Sequence, residues 1–186
     1  MKNLFTKLLI FSSLLLAYSC GNDDLEPTLA MNKSSETGIQ NAADLLAKVT
    51  EKCKKLVKYM SEKHPDDPRT KRLVDGFNPK KTMETLPTSQ FTAYSENKGE
   101  KIAFCLNKKK GENENLIDES TLTFVAIHEL SHVATVSIGH KSEFWENFKF
   151  LLENAKQAGI HNPIDYKAQP TSYCGMNIHD NPYYDA

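Results

Sequence analysis

His128-Glu129-Leu130-Ser131-His132 lies inside an apolar run from Leu122 to Val136, and its reading decides the fold. On a helix, residues four apart share a face. His128 and His132 therefore stand one turn apart, within about 40° of each other around the axis. Two neutral imidazoles at that spacing can grip a zinc ion, with Glu129 beside the metal as general base. Thr121, Ser131 and Thr135 share that sector with Phe124 and Val125, so the face is expected to wall a cleft. Buried imidazoles and a buried carboxylate are costly without partners, and a metal supplies one.

Working outward, Asp118 to Ser120 are good capping residues for the start of this helix. Gly139 is a natural residue just past its end. His140 follows directly, and a glycine turn can bring it back as the third ligand. Three histidines plus a water form a catalytic zinc arrangement. Glu143 and Glu146 are the alternative third ligands. They lie on a further helix, expected from Ser142 as N-cap to Gly159, with a stripe of Phe144, Trp145, Phe148, Leu151, Leu152 and Ala155.

Upstream, Gln40 to Lys63 reads as an amphipathic helix, with Leu45, Val49, Cys53, Leu56, Val57 and Met60 at three- and four-residue steps. Lys48, Lys52, Lys54, Lys55 and Lys58 decorate its other side as a solvated face. Pro65 to Pro68 breaks it. A short helix should follow, with Asp67 as N-cap, Pro68 at the first position and Gly76 at the end. Asn78 to Ser89 reads as loop. Gln90–Ser95 and Lys101–Leu106 read as a β-hairpin, with Gly99 supplying a positive φ. His161 to Ala186 is expected to be irregular. The predicted class is α+β: a central metal-binding helix, two packing helices and a small antiparallel hairpin or sheet, spanning residues 40–186.

The N-terminus has the pattern of a leader. A basic Met1–Lys7 precedes an apolar Leu8–Ala17, too short to cross a bilayer, which takes about 20 residues. Residues 1–19 read as a signal peptide. Ala17-Tyr18-Ser19 permits plain cleavage; Cys20 alternatively carries lipid, ahead of a Gly21-Asn22-Asp23-Asp24 tether; an uncleaved anchor is the third possibility. Each places the domain outside the cytosol or in a membrane-bounded lumen. Residues 20–39 are polar and read as a disordered tether. Of Cys53, Cys105 and Cys174, Cys53 falls on an apolar helix face and suits a buried thiol. Cys105 and Cys174 are the pair expected to bridge, although three pairings are open. The net charge of −1, from 23 basic and 24 acidic residues, offers no global field for nucleic acid. The expected partners are a peptide or protein substrate and, through the N-terminus, a membrane; the expected state is a monomer.

The chain also resembles known enzymes. His128-Glu129-Leu130-Ser131-His132, then Gly139-His140, then Glu143-Phe144-Trp145, resembles the minimal zincin metallopeptidases of the WLM and SprT-like type. Asn97-Lys98-Gly99, Phe104-Cys105-Leu106, the central helix and Tyr173-Cys174-Gly175-Met176 are similar to an uncharacterised zincin-like family found in large DNA viruses. This likeness covers roughly Thr88 to Met176. It implies a zinc peptidase fold with one zinc ion and a hairpin above the active-site helix, whose strand at Phe91–Ser95 could pair with an extended substrate. Seven residues separate His132 from His140, where metzincins have five, so the spacing departs from theirs. The DNA-repair roles of the WLM and SprT-like proteins do not carry over to an exported chain. In the implied reaction Glu129 shuttles the proton of a metal-activated water. Tyr173, Tyr166 and His179 are candidate oxyanion donors. Met176 reads as a plain core methionine, with the methionine turn under the metal of metzincins as the alternative that the resemblance offers. A zinc-binding envelope protein without turnover, and a zinc hydrolase of a cell-wall amide, are the rival functions.

Overall fold

A computed structural model describes residues 26–86, 88–109 and 115–185, with side chains from Glu36 onward. The leader Met1–Ser19, the lipidation candidate Cys20 and the first residues of the expected tether lie outside the described residues. The chain divides into two units, Met1–Glu36 and Thr37–Ala186, and the second carries the core, the strands and the motif histidines. The class is α+β: four helices with a three-stranded and a two-stranded sheet among the described residues. No helix among them is long and apolar enough to cross a membrane.

Helix α1 (Glu26–Lys63) starts well before Gln40, so the expected tether is helical from Glu26. Its inward stripe is Leu45, Val49, Cys53, Leu56 and Met60, all buried. Burial pushes the Cys53 thiol up to about 12, so it is inert at neutral pH. Helix α2 (Pro68–Gly76) follows the Pro65–Pro68 break. Asp67 caps it, accepting from the Arg69 amide at 2.8 Å, with Pro68 in the first turn.

Strand β1 (Thr82–Glu84) lies in the stretch expected to be loop. It pairs in parallel with β3 (Lys101–Phe104), while β2 (Ala93–Glu96) pairs with β3 in antiparallel register, Ala93 opposite Phe104. The sheet order β1-β3-β2 is thus mixed rather than a plain antiparallel hairpin. Central β3 is consequently the apolar strand, with Ile102, Ala103 and Phe104 buried.

Helix α3 (Glu119–Ala134) carries the two motif histidines. Asp118 caps it, accepting from the Thr121 amide at 2.8 Å. Nearly every residue from Thr121 to Ala134 is buried, as befits a helix apolar all round. The helix stops at Ala134, five residues short of the expected end at Gly139. Thr135-Val136-Ser137-Ile138 is rich in β-branched residues of low helix propensity, and the freed carbonyls are taken by the Arg72 and Lys98 side chains of other elements. Gly139 does take a positive φ of 81°.

Helix α4 (Ser142–Gln157) is capped at Lys141, so Ser142 is its first residue and not its N-cap. Phe144, Phe148, Leu151, Leu152 and Ala155 face the core, but Trp145 is 45% exposed. Successive helical residues are about 100° apart, and the inward direction belongs to Phe144. The C-terminal segment is not wholly irregular. β4 (Thr171–Tyr173) and β5 (Met176–Ile178) form a hairpin around Cys174-Gly175, both with positive φ, the backbone of a two-residue type I′ turn.

His161 is buried in this core beside the Phe124 ring, and its Nε2 has no hydrogen-bond partner among the described residues. Burial, helped by the Lys52 charge, lowers it to about 4. A base depressed on folding stabilises the fold above its ordinary value near pH 6.5, and that contribution is lost as pH falls through 4. His161→Leu should therefore flatten the acid limb of the stability profile between pH 6.5 and 4 without changing metal binding. Urea melts across that range test this; an unchanged acid limb contradicts it.

Candidate metal centre

His128 and His132 project from α3, and the 135–141 loop brings His140 back to them. The ring centroids stand 5.0 Å (128–132), 4.9 Å (128–140) and 4.8 Å (132–140) apart. The Nε2 atoms of His128 and His140 are 3.0 Å apart. One ligand nitrogen from each ring lies within 4.8 Å of the other two, so the three could hold a metal ion. Donors 2.0–2.1 Å from a tetrahedral ion stand roughly 3.3 Å apart, close to the 3.0 Å of the His128–His140 pair. Neither Glu143 nor Glu146 belongs to the group. Glu143 instead accepts from the Val136 and Ser137 amides, both at 3.1 Å.

One phenyl ring props all three imidazoles. Phe144 stacks under His132 at 4.3 Å and meets His128 and His140 edge-on at 4.8 and 4.6 Å. Trp145 lies against His140 on the outside, at 5.7 Å. In the sequence Phe144 is a stripe residue of the helix that supports the centre, following Gly139-His140; that its single ring touches all three imidazoles is seen only in the fold.

Electrostatics keep the donors in their ligand form. Burial lowers His128 to about 3, helped by His132 and His140. Burial lowers His132 to about 4, helped by His140 and Lys98. Both rings are neutral at pH 7, as a metal ligand must be. Glu129 is 4% exposed, and burial pushes its carboxyl up to about 8.

The other candidates are dispersed. Tyr173 is buried, and its hydroxyl donates to the Thr92 carbonyl at 3.2 Å. Burial and then the Glu129 charge raise its pKa. Tyr166 is a core side chain, edge-on to Phe124 at 4.9 Å. His179 is exposed and turns back on the Asn177 carbonyl at 3.2 Å. Met176 is not a core methionine. It is 51% exposed, with its sulfur accepting from the Thr92 hydroxyl. Cys105 and Cys174 form a disulfide with Cα atoms 6.0 Å apart. It ties the β4–β5 turn to the end of β3, beside Cys174 and Gly175 amides that donate to the Asn107 and Lys108 carbonyls.

No family model matches the chain, and no solved structure matches it. It is similar to "Uncharacterized protein 136R" of Invertebrate iridescent virus 6, with 34% identity over 73 residues, covering 39% of this chain and 40% of that protein. It is 30% identical over 146 residues to "Uncharacterized protein R325" of Acanthamoeba polyphaga mimivirus, covering 76% of this chain and 73% of that one. At that identity and coverage, the chain belongs to the family of the mimivirus protein R325.

Proposed function

We propose that this chain is a zinc-dependent peptidase of the zincin kind, hydrolysing peptide bonds in peptide or protein substrates outside the cytosol. The observation that carries the proposal is that His128 and His132, on the helix that buries the Glu129 carboxyl, and His140, on the loop after it, bring one ligand nitrogen each within 4.8 Å of the other two. An all-imidazole set suits zinc, and three protein ligands leave a position for water. When bound, zinc supplies Lewis acidity and draws the pKa of water toward about 7.

The chain's own residues do the rest. His128 and His132 are already neutral, so no proton has to leave them on binding. A carboxylate oxygen of Glu129 takes the proton of the attacking water and returns it to the departing amine nitrogen. Burial makes that carboxyl a stronger base than usual, and a neighbouring cation brings it back from about 8 toward the working pH. Strand β2 has a ladder partner on one side only among the described residues, which suits pairing with an extended substrate. Tyr173 can serve as oxyanion donor by exchanging the Thr92 carbonyl for the substrate oxygen. The Cys105–Cys174 disulfide supports an oxidising compartment, in keeping with the leader-like Met1–Ser19 and a lipid at Cys20.

The test is metal content together with hydrolysis. The purified chain should carry one zinc per molecule and cleave casein or a peptide library more readily than peptidoglycan. His140→Ala should weaken zinc binding by more than about 100-fold, since even outer-shell changes cost 10–100-fold. Absence of stoichiometric metal refutes the proposal. Metal without turnover on any of these substrates favours the zinc-binding envelope protein.

A further inference from the structure

The path of the 135–141 loop is set from outside α3. A helix leaves its last four carbonyls without intrahelical partners. Here one ammonium takes two of the carbonyls around this end and one beyond it: Lys98 Nζ donates to the carbonyls of Thr135 at 2.7 Å, Ser137 at 3.2 Å and His132 at 3.3 Å. An ammonium has three donors, and all three are committed. Arg72 Nε donates to the Ala134 carbonyl at 2.6 Å, and two cations at a helix C-terminus are favourably placed in its dipole. From the other side Glu143 holds the Val136 and Ser137 amides, both at 3.1 Å. The backbone of 135–137 is therefore gripped at both its donors and its acceptors, three residues before His140.

The turn that presents Lys98 is built at a cost. Lys98 sits at φ 56°, ψ 46°, a left-handed conformation that disfavours a side chain. The turn also packs where side chains do not fit. A Cβ on Gly76 would stand 2.3 Å from the Lys98 carbonyl and 2.7 Å from Val133 Cγ1, and one on Gly99 would stand 2.8 Å from Val133 Cγ2. Glycine at 98 would take this backbone without strain. A strained lysine with every donor engaged marks the side chain as the purpose of the turn.

We infer that Lys98 is a positioning residue for the third metal ligand, fixing the loop so that His140 meets His128 and His132. The inference rests on the metal-centre proposal above. It explains how a seven-residue gap closes a three-histidine site: the intervening loop is preorganised by a cation from the β2–β3 connection, so its ordering is not charged against metal binding.

The experiment uses the full chain and zinc alone, with affinity read by competition against a chromogenic chelator. Lys98→Gly removes the ammonium while relieving the backbone. Zinc affinity should fall about 10–100-fold, while the melting temperature of the metal-free chain stays within a few degrees. Lys98→Arg, which keeps the charge and several donors, should recover most of that loss. In a His140→Ala background Lys98→Gly should cost nothing further, because the two act as one unit. Should the glycine variant unfold, Lys98→Met carries the same cycle. Wild-type affinity in Lys98→Gly, or a full additional loss in the double variant, overturns this inference and leaves the metal centre standing. Absence of zinc binding by the unaltered chain overturns both.

Discussion

Glu129→Gln should leave zinc content at the level of the unaltered chain and lower peptide hydrolysis by about 10²–10⁴-fold, the usual worth of a positioned general base. The amide is nearly isosteric and cannot take the proton of the attacking water. The same substitution should stabilise the metal-free protein at alkaline pH. The folded-state value of about 8 lies above the ordinary carboxyl value of 4.5. The buried group therefore carries no penalty below pH 4.5, and stability drains as pH rises through 8. At pH 9 the variant should gain on the order of 2 kcal/mol or more in urea melts, each unit of displacement being worth about 1.4 kcal/mol. Stability at a base position is surrendered for function. Unchanged turnover removes Glu129 from the reaction. Equal stability of the two chains at pH 9 shows that the carboxyl is better solvated than its burial implies.

Removing the disulfide should have the largest effect on stability. The bridge spans 69 residues, and a loop of that size contributes about 4 kcal/mol by restricting the unfolded chain. Cys105→Ser with Cys174→Ser should lower the melting temperature by roughly 10 °C. Zinc affinity should hardly change, because the three histidines and Phe144 stand on α3, α4 and the loop between them, and none is on the β4–β5 hairpin. Melts with and without reductant, paired with metal titration, measure both. Coincident melts deny the bridge a structural role. Loss of zinc binding ties the hairpin to the metal centre more closely than its contacts suggest.

The motif histidines and Glu129 were readable because helix period and metal chemistry are both local. His140 was readable as a neighbour of Gly139 whose turn returns it to the pair, but the contacts that hold its loop were not. The stop at Ala134 depends on Lys98 and Arg72, which reach the Thr135 and Ala134 carbonyls from 37 and 62 residues away. No window along the chain contains such a contact. β1 has three residues, too few to display a period of two, and its partner β3 lies beyond an intervening strand. Trp145 is as apolar as the stripe residues, but one helical step of about 100° from inward-facing Phe144 turns it to the surface. Met176 resembled a site residue by its place after the Tyr-Cys-Gly turn, yet the tight turn directs it to the surface. The leader and the lipidation residue rest on composition alone.

The loop bearing the third histidine has a consequence for the protein's own survival. Val136 and Ile138 are 65% and 85% exposed, and they flank a centre that, on the proposed activity, cuts polypeptides. Such a segment is ordinarily good bait for a neighbouring molecule's active site. Cleavage requires it to straighten, and straightening breaks the Lys98 bonds to Thr135 and Ser137 and both Glu143 bonds. On that proposed activity the same clamp would also resist autolysis: the loop is accessible by its side chains and held by its backbone.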